Sequence, residues 1–388
     1  MEKTRLSLLV GGDTILGEEP EKYFEGVDEI LKNADVRVAQ LETPYIEKAD
    51  DNMDPTRELR NLFPLKGRFD VMTLAGNHLY DFGTPGVADT TRWLRENGIL
   101  YCGADMNLEL AERPAIFEKD GVKFGFLNYN CVGPAHMYAS ETKAGCAYVN
   151  HLPACIVDNI DSLAMDNNLD DLAGKHGHFE EYPRLGDYMR MMDQIAALRP
   201  KCDVLSVYFH KGVVHKPAIV LEYERFISRV AIDSGADAVF ASHAHILRGC
   251  EFYKGRPIFH GLNNFVAWVP LLSPNYKGKF TKTEFSDQEE WNRNRVKRFG
   301  FVPDPDYPTY PFHPEAIYTV AAKCIIEDGK ITENRLIPII YEKSGVPYVV
   351  KRENGGERVL EYLTQITDSQ DLNACYEWDG DEIVIRQK

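Results

Sequence analysis

The chain has 388 residues, 44% of them hydrophobic, and a formal net charge of −16. That length and composition allow a large buried core, in one extended unit or in several. The acidic balance excludes a nucleic-acid binder that relies on a basic face, so an anionic substrate must be attracted locally, as bound cations can do.

Residues 5–10 read as a first strand, too short for a secretory signal and interrupted by Asp13 before any small-residue cleavage site. A helix is expected over 21–33, then strands over 36–41 and 71–74. The next helix spans 85–97, with Thr84 as its cap, Pro85 in its first turn and Gly98 at its exit. After a strand at 123–127, residues 130–186 are rich in Asp, Asn, Gly, His and Met and read as an insertion. Helices at 186–198 and 222–234 then alternate with strands at 204–209, 238–241 and 257–262.

Residues 266–316 are rich in Trp, Tyr, Phe and Pro around the charged stretch EEWNRNRVKR, and read as a second insertion forming an ordered cover. Runs at 317–326 and 335–341 suit a closing hairpin, which ends a domain over 1–345 and leaves 346–388 as a C-terminal extension. Strands alternating with helices indicate an α/β architecture around a buried sheet. No 18-residue apolar stretch is present, so no membrane span is expected. Eight cysteines without a CxxC pair, several in apolar runs, are expected to be buried reduced thiols of a cytoplasmic protein.

The chemistry lies where polar residues fall relative to the strands. Asp13 follows the first strand through Gly11 and Gly12, Glu42 ends the second, and Asn77 and His78 follow the third. His210 ends VLSVYFH, and His243 and His245 follow DAVFAS. Ligands of α/β sheets bind at the carboxyl ends of strands, and here five strands each deliver a carboxylate, amide or imidazole there. Carboxylates neutralise divalent cations, imidazoles suit Mn, Fe or Zn, and the amide adds a neutral oxygen. In extended backbone His243 and His245 can face one centre. Glycines at 11, 12 and 76 permit close backbone approach beneath it.

The segments GGDTILG, QLETP, LAGNHLYDFG, FHKG and SHAHILRGCEFYKGRPIFHGLNNF resemble, in order, the motifs of the bacterial capsule-synthesis CapA family. That family is named for poly-gamma-glutamate capsule biosynthesis and falls within the calcineurin-like metallophosphoesterases. The resemblance covers about residues 5–265. It implies a four-layer α/β/β/α sandwich with a dinuclear site whose ligands are Asp13, Glu42, Asn77, His210, His243 and His245. Glu42 takes the place of a bridging Asp, and His78 that of a general acid. Three departures stand out. Ile15 occupies a position that is often His, HKGVVH replaces the usual HWGxEY and so brings in Val214 and His215, and the N-terminal membrane anchor frequent in the family is not expected here.

The expected activity is metal-dependent hydrolysis of a phosphoester, in which two cations acidify a water and His78 protonates the leaving group. Asp81 either orients His78 or merely introduces the following helix. Lys211, His215, Arg248 and Arg256 are candidates for contacting a small or polymeric anionic substrate, or else are surface groups. Hydrolysis of an amide in poly-gamma-glutamate metabolism, and a non-catalytic accessory role with a degraded site, are the competing readings.

Overall fold

Alternation along the first strand sets the layers. In the computed structural model, which describes residues 4–49, 55–153, 181–183, 185–273 and 288–388, β1 (Arg5–Ile15) sends Leu6, Leu8 and Val10 into one apolar cluster and Leu9 into another. Such alternation is what a strand buried on both faces requires. After α1 (Asp28–Lys32), β2 (Val36–Leu41) and β3 (Val71–Thr73) add in parallel. Then α2 (Gly83–Glu96) crosses over and β4 (Leu100–Cys102) extends the same sheet.

The chain now builds a second sheet. It runs through β5 (Ala115–Lys119), β6 (Val122–Asn130), α3 (Leu185–Leu198), β7 (Val204–Lys211), α4 (Glu222–Asp233) and β8 (Ala238–His243). The hairpin β9 (Cys250–Tyr253) and β10 (Arg256–Phe259) completes a six-stranded sheet of order β9-β10-β8-β7-β6-β5. Strands β6, β7 and β8 are parallel, so their carboxyl ends share one edge.

Returning to the first sheet, β11 (Asn264–Ala267) pairs with the end of β1, and after α5 (Gln288–Phe299) the long hairpin β12 (Tyr318–Glu327) and β13 (Lys330–Tyr341) packs beside it. Finally β14 (Pro347–Val349), α6 (Gly356–Asp368), β15 (Ala374–Asp379) and β16 (Glu382–Gln387) are added. The main order of this ten-stranded sheet is β15-β16-β13-β12-β1-β2-β3-β4.

Three clusters separate the layers. Leu8, Val38, Phe124, Tyr208, Phe240 and Ala322 fill the space between the sheets. Leu31, Val87 and Leu94 pack α1 and α2 onto the outer face of the first sheet, and Met191, Ile195, Ile227 and Ala231 pack α3 and α4 onto the second. The molecule is therefore the four-layer α/β/β/α sandwich expected.

Local differences have local causes. The helix expected over 21–33 is a 3-10 turn, Pro20–Phe24, followed by the short α1. Gly26 breaks it, because the backbone there lies against β14 and a Cβ would sit 2.2 Å from the Pro347 carbonyl oxygen. Helix α2 begins at Gly83, so Thr84 lies within its first turn and pairs with Tyr80 instead of capping. Gly98 does end it, at a left-handed φ of 72°. In the first irregular segment residues 154–180 and 184 lie outside the described residues, and in the second residues 274–287 do. None of the seven described cysteines forms a disulfide, and no described helix is long and apolar enough to cross a membrane.

Residues 347–387 join the sandwich directly, since β16 pairs with β13 and α6 buries Val359, Leu363 and Ile366 in the cluster between the sheets. Leu363 is fully buried, so Leu363→Ala should cost about 2–5 kcal/mol. Urea unfolding should show that loss in a single transition. A separate early transition would show instead that the C-terminal segment folds on its own.

Candidate metal centre

Asp13 reaches the sandwich edge through an irregularity in β1, whose pairing register with β2 shifts between Val10 and Asp13. Gly12 makes this possible. A Cβ there would lie 1.8 Å from the Asn263 carbonyl oxygen, which instead accepts from the Asp13 amide at 3.0 Å. Glu42 emerges at the end of β2 and Asn77 from the turn after β3. His210 lies near the end of β7, and His243 closes β8, with His245 two residues on. His243 and His245 both have positive φ, 104° and 49°, a strained geometry for non-glycine residues that marks functional turns.

All six side chains are buried, and they converge. Among the described residues, Glu42, His210 and His243 place one donor atom each within 4.8 Å of one another, and so do Asp13, Glu42 and His245. Glu42 belongs to both groups. His210 Nε2 lies 2.7 Å from Asn77 Oδ1 and 3.1 Å from His243 Nδ1. One imidazole N–H cannot serve both neighbours. Separations of about 3 Å are those of adjacent ligands held about 2.1 Å from one cation.

Hydrogen bonding leaves the centre unfinished. Both Glu42 oxygens, His210 Nδ1 and His243 Nε2 are buried without a hydrogen-bond partner, although His245 Nε2 approaches Glu42 Oε1 to 3.2 Å. Unsatisfied buried groups are costly and rare, and the Glu42 carboxylate, which faces His210 Nε2 and His245 Nε2 with neither oxygen hydrogen-bonded, fits a site built for cations. Around this gap the support is complete. Asp13 accepts from Ser242 Oγ at 2.5 Å and from the His243 amide at 2.9 Å, and His245 Nδ1 meets Asn264 Oδ1 at 2.8 Å.

Burial lowers the His245 pKa, but the Glu42 and Asp13 carboxylates outweigh it and raise it to about 9. Burial and the neighbouring Glu42 charge push the Asp13 carboxyl up, since two carboxylates share a dry space. Burial pushes His210 down to about 3, and burial with the adjoining imidazoles pushes His243 well below its usual range, so both rings are neutral donors. The donor set therefore fits a divalent-cation site, with Glu42 common to both donor groups. Ile15 packs instead against Tyr310 and Phe312, leaving the Asp13 group with one imidazole.

His78 stands at the rim with its side chain 45% exposed, and its Nδ1 is 3.0 Å from Asp81 Oδ2. Burial opposes charge on the ring, but the Asp81 carboxylate and its hydrogen bond win and raise the pKa. His215 stacks on His245 and is surrounded by Phe299, Phe301 and Phe312, so the aromatic segment supplies a wall beside that ligand. His215 is thus buried in that wall.

Two of the residues expected to contact substrate, Lys211 and Arg248, lie in buried hydrogen-bond networks. Lys211 follows His210 in an extended strand and so points to the opposite face. There its ammonium donates to the Glu224 carbonyl and Ser228 Oγ, beside His260 Nδ1. Arg248 is buried and donates to the Val213 and Lys216 carbonyls, holding the loop that carries His215. Arg256 forms a surface ion pair with Asp237 at 2.9 Å. The motif reading did not single out Ser242, Asn264 or Tyr310. Asn264 had a signal, a polar residue opening the apolar run NFVA; Tyr310 had none.

The profile of the family described as bacterial capsule synthesis protein PGA_cap matches residues 7–268. The capsule biosynthesis protein CapA of Bacillus anthracis is 24% identical over 284 residues, which cover 68% of this chain and 60% of that protein. The PGA biosynthesis protein CapA of Bacillus subtilis is 24% identical over 277 residues, covering 67% and 63% respectively. The chain thus spans about three fifths of the length of these relatives. The NAD nucleotidase of Haemophilus influenzae superimposes with a TM-score of 0.39 at 12% identity, over 95% of this chain and 63% of that one. With a profile match that takes in every residue of the convergent cluster, the chain belongs to the bacterial capsule synthesis PGA_cap family.

Proposed function

We propose that this chain is a metal-dependent hydrolase that cleaves a phosphoester of an anionic substrate. The observation that carries the reading is Glu42, buried, shared by two donor groups and without a hydrogen bond on either oxygen. Asp13, Glu42 and His245 would hold one cation, and Glu42, Asn77, His210 and His243 the other. Bound there, divalent cations supply Lewis acidity and the acidification of water that hydrolysis needs at neutral pH.

The chain's own residues do the rest. His78 is partly exposed beside the cluster, and substrate would approach there. Its imidazolium donates a proton to the leaving oxygen, and Asp81 orients the ring through Nδ1 and keeps it charged. The buried surroundings exclude competing water and strengthen each charge interaction. A second reading, an enzyme of poly-gamma-glutamate metabolism acting on an amide, draws on the Bacillus subtilis relative being named a PGA biosynthesis protein. Assaying an aryl phosphate, nucleotides and polyglutamate side by side separates the two. Turnover of polyglutamate alone would replace the phosphoester reading.

Elemental analysis should find two ions per wild-type chain, near none in Glu42→Ala, and one in His243→Ala. Full stoichiometry in Glu42→Ala would remove the shared-ligand assignment. His78→Ala should keep its metal and lose about 10²- to 10⁴-fold in kcat. Because Asp81 raises the His78 pKa, the acid form persists to higher pH and activity is lost as pH rises through that value. Asp81→Asn should therefore shift the alkaline limb of the pH–rate profile to lower pH. An unmoved limb would show that Asp81 only shapes the turn.

A further inference from the structure

Behind His245 runs a chain of hydrogen bonds whose direction is set at its far end. The Ala316 carbonyl can only accept, and it takes one bond from Tyr310 Oη at 2.8 Å and one from Asn263 Nδ2 at 2.7 Å. The Tyr310 proton is thereby committed. Its oxygen can then only accept, from Asn264 Nδ2 at 3.0 Å. Asn264 must in consequence turn Oδ1 toward His245 Nδ1, 2.8 Å away. An acceptor facing Nδ1 requires the hydrogen to be on Nδ1. In the neutral ring the lone pair is then on Nε2, the atom that lies 3.2 Å from Glu42 Oε1.

We infer that Tyr310 is a positioning residue that fixes the tautomer of His245, so that cation affinity in the Asp13–Glu42–His245 group depends on a hydroxyl from the aromatic segment. The inference rests on reading the cluster as a metal centre. Without the Tyr310 hydroxyl, nothing in this chain of bonds distinguishes the two amide orientations of Asn264. The flipped amide sets an NH₂ against Nδ1, moves the hydrogen to Nε2 and removes the ligating lone pair. The hydroxyl is well placed to prevent this. Tyr310 is 2% exposed and its ring stacks on Tyr341 with centroids 3.6 Å apart, while Asn264 is fully buried on β11, beside Asp13 of β1. Partners of this kind behind a ligating imidazole typically change metal affinity about 10- to 100-fold.

The test is a Zn²⁺ titration of the full chain against a chromophoric chelator, with stoichiometry read by native mass spectrometry. Wild type should bind two ions. Tyr310→Phe should weaken one position about 10- to 100-fold and leave the other unchanged. In a His245→Ala background, which retains only the other position, the same change should have no effect. Asn264→Ala, which removes the acceptor directly, should weaken the same position as Tyr310→Phe, and serves if that variant does not fold. In Asn264→Asp the ionised carboxylate offers acceptors only, so adding Tyr310→Phe should have no further effect. Wild-type affinity at both positions in folded Tyr310→Phe, or an undiminished penalty in the Asn264→Asp background, would overturn the inference. A wild-type chain that binds no zinc would instead remove the metal-centre reading beneath it.

Discussion

Two carboxylates, Asp13 and Glu42, are buried within 4.8 Å of a common imidazole nitrogen, and the surrounding structure answers the electrostatic problem this creates. Taking one anion out of water is expensive, and placing a second beside it adds repulsion that a dry interior does not screen. Neutral His210 and His243 relieve little of that repulsion. What they offer is lone pairs beside the Asn77 carbonyl, while His245 lies against both carboxylates.

The sandwich makes this arrangement rigid. Donors come from the ends of strands in both sheets, and strand positions are fixed by pairing on either side and by the apolar cluster between the sheets. Backbone groups are recruited as well: the irregularity at Gly11–Gly12 turns Asp13 toward the His243 amide, so a strand of one sheet is tied to a strand of the other at the centre itself. The C-terminal helix α6 contributes to the same cluster between the sheets, which links the far end of the chain to the geometry of the ligands.

The surroundings of the centre differ in kind. At the rim, His78 and Asp81 are partly exposed and form a polar pair suited to moving a proton. Elsewhere His215 and Phe312 pack on His245, Phe299 and Phe301 pack on His215, and Tyr310 from the same segment reaches behind the His245 ring through Asn264. The aromatic segment thus packs on one ligand and also supports it from behind.

The sequence by itself determined the fold class and which residues stand at the strand ends, because both depend on local pattern. Apolar runs followed by Asp13, Glu42, Asn77, His210 and His243 are visible without coordinates, and strand alternation fixes which neighbours share a face. The break at Gly26 was not legible, since its cause is the approach of β14, more than 300 residues away. Only the tertiary structure decided that Lys211 and Arg248 turn into buried networks and that Tyr310 stands behind His245. Each of those is a contact between distant segments, set by how two sheets and a long cover pack together, and residue type at one position carries no information about it.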